Sequence, residues 1–106
     1  MKNLRFDNFS MKNGLPNNII NSITQDKYGY IWVGTQNGLS RRGSEGYTNY
    51  YVTGDSNALR SNIIYQLLAD SEKIWILDAS GLCYYLYADN HFHYLDFNKN
   101  ANLQVT

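Results

Sequence analysis

LPNNIINSITQDKYGYIWVGTQNGLS, residues 15–40, decides the fold, because residues 59–83 say it again as LRSNIIYQLLADSEKIWILDASGLC. Setting Leu15 on Leu59 pairs Asn18 with Asn62, Ile19 and Ile20 with Ile63 and Ile64, and Asp26 with Asp70. One residue drops out of the turn, and Ile31, Trp32, Gly38 and Leu39 then fall on Ile74, Trp75, Gly81 and Leu82. That makes nine identities over 25 aligned positions, with Ile23/Leu67 and Val33/Ile76 as conservative partners. A period of 43 to 44 residues is the scale of one repeated structural unit.

Outward from this stretch, the chain reads as short strands parted by turns. Residues 19–25 are rich in β-branched side chains between turn signals, and residues 30–35 are nearly all apolar, as in a strand covered on both faces. Asn37-Gly38 signals a hairpin into a strand over residues 39–42, and Gly43 to Gly46 turns the chain into another over 47–52. Residues 62–70 carry a conflict, because Ile63, Ile64, Leu67 and Leu68 recur at helical spacing. Their partner, residues 19–25, is a poor helix former, and two copies of one unit share one structure, so a strand is expected here too. Residues 73–77, 81–87 and 91–97 complete the second copy, and residues 4–9 read as a strand that precedes the first.

Four short strands in about 43 residues are what one propeller blade needs, a twisted meander stacked face to face on its neighbours. The expected fold is all-β: two four-stranded antiparallel blades of a β-propeller. Residues 1–14 are assigned to the outer strand of a preceding blade plus a turn, 15–58 to one repeat, 59–102 to the next, and 103–106 to the opening of a third. Two repeats fall short of the three or so that a stable stack usually needs. The chain therefore reads as part of a ring, and its open blade faces predict self-association.

Composition narrows the function. Nine acidic and nine basic side chains balance, which gives no net charge to draw the chain to nucleic acid or anionic lipid. Cys83 is the single cysteine, so neither an intrachain disulfide nor a cysteine metal site is open to it. No apolar run is long enough to span a membrane and residues 1–10 lack the core of a signal peptide, so this segment is not expected to insert into a bilayer. No Ser/His/Asp arrangement, phosphate-binding glycine loop or repeated acid/base pair points to catalysis, and no cofactor is implied.

At this point GLPNNIINSITQDKYGYIWVGTQNGLSR, residues 14–41, resembles the repeat of the two-component regulator propellers. The residues that carry the likeness are Gly14-Leu15, Asn17-Asn18, Gln25-Asp26, Gly29, Ile31 to Thr35 and Gly38-Leu39. The second copy departs from the pattern, with Ala69 for Gln, Leu77-Asp78 for Gly-Thr and no turn glycine. These propellers are extracytoplasmic sensor regions of hybrid histidine kinases in Bacteroides-type bacteria. The resemblance implies a periplasmic ring of roughly seven blades that detects glycan fragments and signals across the inner membrane.

Individual residues admit a functional and a plain reading. Asp26 and Asp70 precede turns, where a carboxylate accepts backbone N–H groups, so both read as structural, with Gly38 and Gly81, before they read as a carboxylate site. Trp32 and Trp75 have faces that sugars stack on, yet mid-strand in apolar runs they read as blade-to-blade core. His91 and His93 share a face at zinc-ligand spacing, but no third ligand joins them and a solvated pair is expected. Cys83 reads as a small buried hydrophobe and the clustered tyrosines as inter-blade packing or an exposed edge. Arg41, Arg42 and Arg60 have the charge to meet acidic sugars, although arginines at strand ends are usually solvated.

Loops at one end of a blade are where a propeller binds, which here brings residues 53–62, Gln36-Asn37 and Ala79-Ser80 together. Gln36, Asn57 and Arg60 are the expected contacts to an oligosaccharide ligand. The alternatives are an interaction module that assembles the receptor without touching ligand, and a piece of a propeller lyase whose acid/base pair lies elsewhere.

Overall fold

The computed structural model describes residues 11–96. A 3-10 turn over Met11–Asn13 leads into eight strands. The first sheet is β1 (Ile20–Gln25), β2 (Ile31–Thr35), β3 (Gly38–Gly43) and β4 (Gly46–Tyr50). The second is β5 (Ile64–Ala69), β6 (Lys73–Asp78), β7 (Gly81–Leu86) and β8 (His91–Tyr94). Each is a four-stranded antiparallel meander in sequence order. These are two β-propeller blades. The strand expected at residues 4–9, residue 97 of the last expected strand and the third repeat opening at Leu103 lie outside the described residues.

The helical stripe at residues 62–70 is a strand, and its spacing has a structural cause. Pairing of β5 with β6 shifts register between Ile64 and Gln66, which moves the strand's phase by one residue. Ile64 and Leu67, three apart, thereby point to the same face, and both are buried. The first blade carries the same irregularity between Ile20 and Ser22. A bulge imitates a helical period without a helix.

The core lies between the blades. Trp32 and Leu39 of the first sheet meet Leu59 of the connection and Ile64, Leu67, Ile74, Ile76 and Tyr85 of the second sheet in one buried cluster. Approach is close where side chains allow it: a Cβ on Gly34 would stand 2.5 Å from Ile64 Cγ2. Polar contacts stitch the inner strands across the same seam. Asn21 Nδ2 donates to the Ile64 carbonyl at 2.8 Å, and Leu67 N donates to Ser22 Oγ at 3.1 Å. Leu15, Val33 and their neighbours Ile20, Ile23, Ile31 and Tyr47 form a smaller cluster on the opposite face of the first blade.

The outward face of the second blade is open. Leu68 is 64% exposed and Leu77 40%, and with Trp75 and Leu82 they line a shallow apolar groove of about 450 Å³. Trp32 thus sits between blades as its mid-strand setting predicts. Trp75, its repeat partner, lies on the equivalent face of the second blade, which no described residue of a third blade covers. Leu77 stands where the first repeat has Gly34, so a blade seated on this face meets a side chain that the first interface lacks.

Candidate functional site

Each blade is pinned by one aspartate. Asp26 Oδ1 accepts the Tyr28 and Tyr30 amides at 2.9 and 3.0 Å, and Oδ2 accepts Trp32 Nε1 at 2.8 Å. Asp70 repeats this with the Glu72 and Lys73 amides at 2.8 and 2.9 Å and Trp75 Nε1 at 3.0 Å. The Glu72 amide, foremost among these donors, holds the Asp70 carboxyl below the usual aspartate range. One carboxylate therefore fixes both the β1–β2 turn and the rotamer of a tryptophan in the strand that follows it. The turn role was legible in the sequence; the indole contact was not, because nothing in the spacing says which way the Trp N–H points. Asp26 takes a further hydrogen bond from the Tyr87 hydroxyl of the second blade at 2.6 Å.

Gln36, Asn57 and Arg60 lie at one end of the blades, on the β2–β3 turn and the connection between sheets. All three are exposed. A hydrogen bond from Gly38 N to the Asn62 carbonyl at 2.6 Å ties that turn to that connection. Gln36 N is bonded to the Ile19 carbonyl and Asn57 N to Asp55 Oδ1, so their backbones are held while their side chains face solvent. Arg60 N donates to the Tyr94 hydroxyl at 2.8 Å, and its guanidinium lies 4.5 Å from the Tyr94 ring. None of the three lines the grooves described here.

Beneath Arg60 the second blade builds a part-buried polar cluster around the buried Asp78. Tyr94 Oη donates to Asp78 Oδ2, and Asp78 Oδ1 accepts Ser80 N, Ser80 Oγ and Gly81 N. Asp78 thus caps the β6–β7 turn as Thr35 caps β2–β3, where Thr35 Oγ1 donates to the Gly38 carbonyl and accepts Asn37 N. Burial pushes the nearby Cys83 thiol up to about 12, which leaves it a protonated, inert packing group. His93 Nε2 lies 2.8 Å from Asp89 Oδ2 and its ring stacks on Tyr84, while His91 is exposed. His93 is therefore partnered, unlike the solvated pair expected. Among the described residues no three potential ligands gather for a metal ion.

The opposite end of the first blade holds a cationic and aromatic arrangement. The Arg41 guanidinium stands 4.7 Å from the Tyr30 ring, 5.5 Å from Trp32, 6.0 Å from Tyr50 and 5.9 Å from Tyr85 of the second blade. It lines a groove of about 410 Å³ with Tyr30, Ser44, Glu45 and Thr48. On the other side of Tyr30, Arg42 and Tyr28 border a second groove of about 360 Å³. Burial, with Tyr85 beside it, pushes the Tyr50 hydroxyl up to about 12.

Residues 14–37 match the family model described as two component regulator propeller. The chain is also similar to a solved structure, the extracellular domain of a candidate hybrid two component system from B. thetaiotaomicron. The likeness has a TM-score of 0.77 at 30% identity over 85% of this chain, and spans 13% of that one. No curated protein matches the chain.

Proposed function

We infer that this chain, whose residues 14–37 form a two component regulator propeller repeat, is part of the extracytoplasmic sensor propeller of a hybrid two component system. The observation that carries this reading is that the likeness to such an extracellular domain covers 85% of the chain, well beyond the single matched repeat. On this reading the segment lies in the periplasm and the histidine kinase elsewhere in the protein. Glycan fragments are the ligands, and the loops bearing Gln36, Asn57 and Arg60 are the contact surface. Their exposed side chains on hydrogen-bonded backbones fit that role, because a polar ligand needs donors that move little on binding. Binding then acts as a population shift between blade arrangements.

The test is calorimetric titration of the chain with a panel of oligosaccharides, repeated with Arg60→Ala. Loss of binding with an unchanged solution mass supports sensing at this end. No binding across the panel removes the glycan reading for this segment.

A second reading is that these blades assemble the receptor. The open face of Leu68, Trp75, Leu77 and Leu82 favours it, because apolar surface of this kind marks protein contacts. Mutations on that face would then change assembly and leave ligand titrations untouched.

A further inference from the structure

The first blade has a cation whose charge no carboxylate among the described residues answers. Arg41 lies among four aromatic rings, and among the described residues no carboxylate forms an ion pair with it. The second blade provides the comparison. There the repeat partners of Tyr30 and Arg41 are Lys73 and Tyr84, the same cation and aromatic pair with the strands exchanged. Lys73 also lies over aromatic rings, 5.4 Å from Trp75 and 5.6 Å from Tyr84. Unlike Arg41, it has carboxylates beside it, Glu72 at 3.6 Å and Asp70 at 3.9 Å. Ring faces attract a guanidinium above and below its plane, whereas its N–H donors lie in that plane and want acceptors. Arg41 is therefore oriented by aromatics and left with donors to give.

The groove it lines has the size and lining of a monosaccharide site. About 410 Å³ is within the range of small-ligand pockets. Its other polar groups, Ser44, Glu45 and Thr48, come from the β3–β4 hairpin and its flank. Glu45 sharpens the choice of anion. Its negative charge opposes a dianion such as phosphate, yet a carboxylate accepts hydrogen bonds well from sugar hydroxyls. A monoanion surrounded by hydroxyls meets only about half that repulsion and brings Glu45 the donors it accepts from.

We propose that this groove binds a uronic acid residue, its carboxylate on the Arg41 guanidinium and its ring hydroxyls on Ser44, Glu45 and Thr48. This rests on the glycan-sensing reading and names the class of glycan, one bearing carboxylates. Tyr85 brings the second blade to the same guanidinium, so occupancy couples to the seam between blades.

The probes are a galacturonic acid trimer and its methyl ester, which has the same shape without the charge. Trp32 lies 5.5 Å from the Arg41 guanidinium and reports on it through fluorescence once Trp75→Phe has removed the second signal. The acidic trimer binds and changes Trp32 emission, and the ester binds at least about tenfold more weakly. Arg41→Lys keeps the charge but loses the fork, and weakens the acidic trimer by about tenfold. Ser44→Ala with Thr48→Ala, at two exposed positions, weakens it while the circular dichroism spectrum is unchanged. Equal binding of acid and ester, or indifference to Arg41→Lys, overturns the uronic acid assignment and leaves glycan sensing standing. Failure of both trimers overturns the assignment at this groove, whereas glycan sensing falls only when neutral oligosaccharides fail too.

Discussion

The Tyr87 hydroxyl of the second blade donates to Asp26 Oδ2 of the first at 2.6 Å, on the oxygen that also accepts the Trp32 indole at 2.8 Å. A single buried carboxylate oxygen therefore holds a turn's tryptophan and the neighbouring blade. Asp70, its repeat counterpart, hydrogen-bonds among the described residues to its own turn and Trp75, has Lys73 beside it, and is exposed.

Tyr87→Phe deletes one bond to a charged acceptor and should cost about 1.5–3 kcal/mol. Asp26→Asn should cost more, because the amide offers donors to a site that supplies only donors. Asp70→Asn should cost least of the three. Urea denaturation of the three variants checks the order, and equal losses at Asp26 and Asp70 would contradict a shared role for Asp26 across the seam.

Gly34→Ala should destabilise by about 1–3 kcal/mol through overpacking, since the new methyl would lie 2.5 Å from Ile64 Cγ2. Ile64→Ala, costly alone, should recover part of that loss in the double variant. A double-mutant cycle with no coupling would mean that the blades do not approach here.

Alkaline pH should unfold the chain early. Burial pushes Cys83 and Tyr50 up to about 12, and it raises Tyr87 and Tyr94 as well. In the unfolded chain a thiol ionises near about 8.5 and tyrosine near about 10. The folded state then holds more protons than the unfolded between those values and about 12, so stability is full below about 8.5 and falls as pH rises through the window. Thermal melts at pH 7 to 12 read this, and Tyr50→Phe should flatten the upper part of the curve. A melting temperature that is level to pH 11 would refute it.

Self-association through the second blade's open face should appear in light scattering as a discrete multiple of 12.2 kDa at raised concentration. Leu68→Lys should return the chain to a monomer by putting a charge on the apolar groove. Leu77→Gly should strengthen association, because it restores the bare backbone that lets the first interface close. A monomer at every concentration would end the assembly reading.

Much of the fold was legible because the repeat is carried by residues whose reasons are local. Asp before a turn, Asn-Gly at a hairpin and an apolar run between turns each specify backbone geometry without reference to distant chain. The stripe at Ile63, Ile64, Leu67 and Leu68 was legible only through its partner repeat, since a bulge and a helix put the same spacing on paper. The Arg41 arrangement was visible only as a charge. Three of its ring contacts, Trp32, Tyr50 and Tyr85, come from three different strands in two sheets.

The sequence by itself determined the blade: four strands per repeat, their order and the residues that turn the chain between them. These follow from hydrophobic patterning and turn chemistry within about ten residues. Tertiary structure alone decided which tryptophan is buried, which aspartate bridges two blades and which arginine keeps its donors. Those outcomes depend on what stands across the seam. Trp32 and Trp75 have the same local sequence logic and differ because Ile64, Leu67 and Tyr85 cover one face and nothing described covers the other.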